Sequence, residues 1–138
     1  MTTKVEKMYR DWYEAWNTHE VEKILPYVTD DTVYEATVAG RVMHGKAELR
    51  SYITDSFNAF PDFKIDLKAF FVSGEWVGAE WVMSGTFKGV LQPFGLKPTG
   101  KSFSVRGATI TELRGDKLKR NTDYYDGVTF LRQIGVMP

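Results

Sequence analysis

Residues 63–87, FKIDLKAFFVSGEWVGAEWVMSGTF, carry the pattern that decides the fold. Phe63, Ile65, Leu67, Ala69 and Phe71 alternate with Lys64, Asp66 and Lys68, the period-two spacing that sets apolar side chains on one face of a half-buried strand. Ser73-Gly74-Glu75 then supplies a hairpin turn, since glycine adopts the positive φ that tight turns demand. Residues 76–87 return as a second strand. It is apolar on both sides, through Trp76, Val77, Ala79, Trp81, Val82, Met83 and Phe87, so cover is expected over both of its faces.

Working outward, the Gly/Pro-rich stretch 88–100 (KGVLQPFGLKPTG) reads as a loop carrying Phe94. Residues 102–113 and 117–126 form a second hairpin across Arg114-Gly115-Asp116, and the apolar tail 128–136 is expected to pack as a last helical turn or two. Upstream the period becomes helical. Thr3 and Glu6 make a capping box for a helix over 3–17, with Val5, Met8, Tyr9, Trp12 and Trp16 on one face. Asn17-Thr18-His19 interrupts it, with His19 expected to be exposed. A short second helix carries Val21, Ile24, Leu25 and Val28, bent by Pro26. A strand over Thr32–Val38 ends at Ala39-Gly40. A third helix spans 46–60, its stripe formed by Leu49, Tyr52, Ile53, Phe57 and Phe60, and Pro61 stops it. Helices followed by long strands predict an α+β fold: one domain over 1–138, a cone-shaped curved antiparallel sheet with three N-terminal helices enclosing a pocket.

Composition narrows the function. Nine Phe, seven Tyr and four Trp in 138 residues exceed what a small core needs, so rings should line a cavity that holds a small apolar ligand. Lys plus Arg and Asp plus Glu balance at 18 each, which gives no electrostatic footprint for nucleic acid or an anionic membrane. Without cysteine there is no thiolate nucleophile or disulfide framework. The N-terminus lacks a signal-like apolar stretch and no spanning run occurs, so a cytoplasmic location is expected. Two separated histidines predict no metal site.

The hairpin turns suggest which residues share a face. With Gly74-Glu75 as a two-residue turn, Glu80 points to the apolar face and Trp81 and Met83 point outward, where a second copy of the chain would cover them in a homodimer. Pairing Leu113 with Leu118 places Ser104, Arg106, Ala108 and Ile110 with Asn121, Asp123 and Tyr125. A one-residue change of register would swap these faces.

Three runs carry a family resemblance: FPDFKIDLKAFFVSGEWVGAEWVMSGTFKGV (60–90), KPTGKSFSVRG (97–107) and GDKLKRNTDYYDGVTFLRQIG (115–135). With the aromatic first helix (YRDWYEAWN, 9–17), they resemble the SnoaL-like polyketide cyclases of the nuclear-transport-factor-like superfamily. The resemblance rests on FPD, SGTF, PTG, the paired aspartates of TDYYD, and RQIG. It implies a cofactor-independent enzyme in which an acidic residue of the last strand removes a proton beside a carbonyl during an intramolecular aldol condensation. Asp123 matches that position, with Asp126 the alternative if the strand is shifted. The chain departs from the commoner pattern in carrying Asn121-Thr122 where many relatives have His-Trp, and Glu80 where relatives often have a basic residue.

These readings give a candidate site. Asp123 is the acid or base, with Arg106, Asn121 and His44 tuning it or shuttling protons. Trp12, Trp16, Tyr52, Phe57, Glu80, Phe94 and Tyr125 are expected to contact substrate. For several of them an ordinary structural role competes. Asp123 is either a titrating base or an inert ion-pair partner of Arg106, and Glu80 either pairs with Arg106 or faces solvent. His44 is either a proton shuttle or a loop and capping residue, and Phe94 either a lid or a loop anchor. Isomerisation, dehydration, hydrolysis or simple ligand binding are the alternatives to cyclisation.

Overall fold

The computed structural model describes residues 3–138. Helix α1 (Lys4–Asn17) begins at the expected capping box: Thr3 accepts from the Glu6 amide, and Glu6 reaches back to the Thr3 amide. Helix α2 (Val21–Ile24) gives way at Pro26 to a tight 3-10 turn, Leu25–Tyr27. Strand β1 (Val28–Ala36) starts before the stretch that the sequence marked, and a short strand β2 (Arg41–His44) follows it. Helix α3 (Gly45–Ala59) leads into β3 (Lys64–Ser73), β4 (Trp76–Thr86), β5 (Ser102–Arg114), β6 (Lys117–Tyr125) and the closing helix α4 (Gly127–Gln133).

The six strands form one curved sheet in the order β2-β1-β6-β5-β4-β3. Its pairs are antiparallel except β1 with β6, which run parallel, so the sheet is mixed where an all-antiparallel one was expected. Helix α3 packs on β1 and β2, and α1 packs on β3. Asn17 fixes α1 to the sheet edge: its side chain donates to the Ile65 carbonyl and accepts from the Ile65 amide, both at 2.8 Å. These two bonds give edge strand β3 the partner that a neighbouring strand would otherwise supply.

Two β-bulges decide which residues face the helices. Near its turn, β3 pairs with β4 as expected, Phe71 with Gly78 and Ala69 with Glu80, but Lys68 is then bulged out and Leu67 pairs with Trp81. In the second hairpin Leu113 pairs with Leu118 as expected, but Lys119 is bulged out and Thr109 pairs with Asp123. Each bulge adds one residue to one strand, and one residue reverses the side to which every later side chain points. Trp81 and Met83 therefore face inward and are buried, while Glu80 and Arg106 lie exposed on the outer face. This corrects both the expected outward Trp81/Met83 patch and the expected grouping of Arg106 and Glu80 with Asp123.

On the inner face the Trp81 ring lies over Gly107, its Cα partner on β5. A Cβ at Gly107 would come within 2.2–2.6 Å of three Trp81 ring atoms. Gly107→Ala should accordingly displace the indole and destabilise the fold by about 1–3 kcal/mol, the usual range for overpacking. A urea melt compared with the parent protein measures this.

Candidate active site

Between the inner face of the sheet and helices α1 and α3 lies a cavity of about 60 Å³. Helix α1 contributes Trp12, Tyr13 and Trp16, α3 contributes Tyr52 and Ser56, and the sheet contributes Tyr34, Ile65, Trp81, Met83, Asn121, Asp123 and Tyr125. The rings brace one another: Trp12 and Trp16 meet edge-on at 5.8 Å, and Tyr34 lies 5.6 Å from Tyr52. This volume is small beside the roughly 300–1,000 Å³ common for ligand pockets. It suits a few heavy atoms, and a fused-ring molecule would require side chains to move.

The polar end of the cavity is built around Asp123. Its Oδ1 accepts from Thr109 Oγ1 at 2.7 Å and from Asn121 Nδ2 at 3.1 Å, and its Oδ2 accepts from the Tyr34 hydroxyl. Thr109 in turn accepts from Trp81 Nε1 (2.7 Å), and Asn121 Oδ1 accepts from Thr111 Oγ1 (2.8 Å). The Tyr9 hydroxyl lies 2.9 Å from Thr111 Oγ1. With Thr111's proton committed to Asn121, Tyr9 is the donor there. The Asp123 carbonyl is held too, by Thr37 Oγ1 at 2.6 Å.

Every donor to the carboxylate is uncharged, and none of the ion pairs among the described residues involves Asp123. Burial therefore dominates and pushes its carboxyl above the ordinary range, against the lowering effect of Tyr34, Thr109 and Asn121. Burial likewise pushes up the phenols of Tyr9, Tyr13, Tyr34, Tyr52 and Tyr125, which keeps them protonated. Beside the cavity wall the Arg41 guanidinium lies 5.3 Å from the Tyr52 ring centre, and it is paired with Asp55 at 3.3 Å.

The structure brings together Asp123, Asn121, Tyr125, Trp12, Trp16 and Tyr52 from the expected set. Phe57 stands behind the wall, against Trp16 (6.0 Å) and stacked on His19 (4.8 Å). His19 is half-buried rather than exposed, because its Nε2 hydrogen-bonds the Phe63 carbonyl at 2.5 Å. Arg106 and Glu80 line an outer groove instead of the cavity. His44 is exposed at the start of α3, where its amide donates to Glu48. Phe94, half exposed, belongs to a separate apolar cleft with Leu91, Leu96 and Phe130. Asp126 caps α4 by accepting from Thr129, which holds its carboxyl low and resolves the alternative in favour of Asp123 as the cavity's carboxylate. Sequence reasoning missed Tyr34, Thr109, Thr111 and Trp81. Alternating threonines opposite an Asn-x-Asp pair were the available signal, but the shifted register hid it. Among the described residues no cluster of three or more His, Asp or Glu is placed to hold a metal ion, and no helix is long and apolar enough to cross a membrane.

The raised Asp123 carboxyl fixes the sign of a pH effect. In the unfolded chain Asp titrates near pH 4, whereas in the folded protein it keeps its proton to higher pH. The folded state thus loses stability as pH rises from about 4 through the folded value, and the deficit is constant above it. Asp123→Asn removes that ionisation while keeping an acceptor for Thr109 and Asn121. Thermal melts of both proteins from about pH 3 to about pH 7 should show the parent losing ground to the variant as pH rises. The carboxylates held low, such as Asp31 and Asp62, are common to both proteins and cancel.

Comparison with known proteins agrees with this architecture. A protein with a ketosteroid isomerase-like fold from Catenulispora acidiphila, solved in complex with trimethylamine, is 22% identical; the match covers 100% of this chain and 96% of that one with a TM-score of 0.82. IdmH from Streptomyces antibioticus, a candidate polyketide cyclase, is 21% identical over 97% of this chain and 100% of its own, with a TM-score of 0.78. A candidate SnoaL-like polyketide cyclase from Jannaschia sp. CCS1 is 14% identical over 99% and 95%, with a TM-score of 0.85. At such identities the likeness establishes the fold. No curated protein matches the chain. The family model for SnoaL-like polyketide cyclases matches residues 6–134, nearly the full length, and the chain belongs to the SnoaL-like polyketide cyclase family.

Proposed function

We propose that the protein is an enzyme of cofactor-independent acid/base chemistry on a small, apolar, carbonyl-containing substrate, in the manner of an intramolecular aldol condensation. The observation that carries this reading is a carboxylate in a ring-lined cavity whose hydrogen-bond donors are all uncharged. Desolvation makes such a group a better base than an exposed aspartate, because its conjugate acid is closer to the working pH. In the proposed step Asp123 takes a proton from the carbon beside a carbonyl. The resulting enolate carbon attacks a second carbonyl of the same molecule, and the new alkoxide receives the proton from Asp123. No electrons are gained or lost, so no redox partner is needed. Asn121 and Thr109 orient the carboxylate, and Trp12, Trp16, Tyr52 and Tyr125 hold the substrate. Arg106, Glu80 and His44, outside the cavity, have no part in the step.

Proton abstraction can be read before the natural substrate is known. Small aryl and cyclic ketones in D₂O should exchange their α-protons in the presence of the protein, followed by proton NMR. Asp123→Asn should slow that exchange by about 10²–10⁴-fold, the usual contribution of a positioned base, with the fold retained by circular dichroism. Unchanged exchange would remove Asp123 as the base and favour a ligand-binding module.

Homodimerisation is proposed through a different patch of the outer face from the one expected. Phe71, Ile110 and Tyr124 are 71%, 45% and 50% exposed and lie on neighbouring strands with Gly78 and Ala108 between them. Such a contiguous apolar area is typical of an interface. Glu80 and Arg106 share this face, and among the described residues neither belongs to an ion pair, so both charges are available to a partner copy. Sedimentation should show a dimer at micromolar concentration, and Phe71→Asp with Ile110→Asp should give a monomer. A parent protein that sediments as a monomer overturns the proposal.

A further inference from the structure

Asp123 is the only charged residue around the cavity, and among the described residues no Lys, Arg or His joins it there. Arg41, beside the wall, does not line the cavity and is already paired with Asp55 at 3.3 Å. The rest of the lining is mostly aromatic, with the indoles of Trp12, Trp16 and Trp81 and the phenols of Tyr34, Tyr52 and Tyr125. Ring faces carry negative partial charge and attract cations. Neighbouring rings are inclined at 90° (Trp12 and Trp16), 62° (Trp81 and Tyr125) and 38° (Tyr34 and Tyr52), so they turn faces as well as edges toward the space they share. In a cavity of about 60 Å³, a cation at the centre stands within about 6 Å of several rings at once.

We propose that the cavity binds a small methylated ammonium ion, tertiary or quaternary, with Asp123 as its counterion and the three indoles as its cage. This goes beyond the reading of Asp123 as a base and does not depend on it, since no proton need move. Hydrogen-bond accounting selects the degree of methylation. A carboxylate has about four acceptor positions. Thr109 and Asn121 take both positions of Oδ1 and Tyr34 takes one of Oδ2, which leaves one. A tertiary ammonium has one N–H to fill it, and a quaternary ion needs none. A primary ammonium would have to find acceptors for two further N–H groups in a lining made mostly of rings. A bare metal ion takes about six oxygen ligands, which these walls do not supply. Size points the same way, because a nitrogen bearing three or four methyl groups is the handful of heavy atoms that the cavity takes without side chains moving.

The test titrates the parent protein at neutral pH with trimethylammonium and tetramethylammonium chlorides. Tert-butanol serves as the uncharged molecule of like size and shape, and methylammonium as the primary ion. Trp12, Trp16 and Trp81 line the cavity, whereas Trp76 stands outside it, 49% exposed. Indole fluorescence should therefore change saturably, and calorimetry should give the dissociation constants. Both methylated ions should bind at least about tenfold more tightly than tert-butanol or methylammonium. Asp123→Asn should weaken their binding at least about thirtyfold and leave that of tert-butanol nearly unchanged. Tert-butanol matching tetramethylammonium would show a merely apolar cavity and overturn the proposal, as would no saturable signal in the parent or an unchanged affinity in Asp123→Asn. Methylammonium binding as tightly as trimethylammonium overturns the choice of tertiary and quaternary ions. The comparison of ligands on the parent needs no variant to fold. Methylated ions that bind to a protein inert in α-proton exchange sustain this proposal and sink the base assignment; exchange without ion binding does the reverse.

Discussion

A half-buried aspartate set among rings with no countercharge is the constraint around which the interior is organised. Such a carboxylate is tolerated only if its oxygens are hydrogen-bonded. Here the bonding is directional over several residues. One chain of protons runs from Tyr9 through Thr111 and Asn121 to Asp123, and another runs from Trp81 through Thr109 to the same oxygen. Tyr34 completes the set on the other oxygen. Thr109, Thr111 and Asn121 each accept one of these bonds and donate the next, so a change at Tyr9 or Trp81 would be felt at the carboxylate without touching it.

Much of this was legible in the sequence, and the facing of the strands failed for one reason. The helices, both hairpin turns and the aromatic stripe of α1 follow from local spacing, and the structure has them. The facing of the strands did not follow, because Lys68 and Lys119 are bulged. A lysine in an alternating strand looks like an ordinary solvent-facing residue whether or not it is paired. Asp123, Asn121 and Tyr125 keep a common face under either register, which is why they were grouped correctly. Their partners on β5 do depend on register, so Arg106 was expected where Thr109 stands.

Tyr34 was out of reach for a different reason. Its contact with Asp123 spans 89 residues and depends on the parallel pairing of β1 with β6, in which Tyr34 is set beside Asn121 and Ala36 beside Asp123. Long-range parallel pairing leaves no turn signal between the strands it joins. Four-residue β2, RVMH, is likewise too short for its alternation to distinguish it from a loop.

The misplaced arginine bears directly on the chemistry. Had Arg106 pointed inward as expected, its charge would have favoured the ionised carboxylate and drawn the Asp123 carboxyl down, leaving a weak base. It would also have competed with the phenols for the carboxylate's oxygens. On the outer face it does neither. Burial alone then acts on both kinds of group in the same sense, favouring the protonated form: it makes the aspartate more willing to take a proton, and it keeps the phenols of Tyr34, Tyr52 and Tyr125 from giving theirs up. The carboxyl group and the phenols around it are thereby tuned by the same aromatic walls. The surplus of rings is thus accounted for more by electrostatics than by the volume they enclose, about 60 Å³.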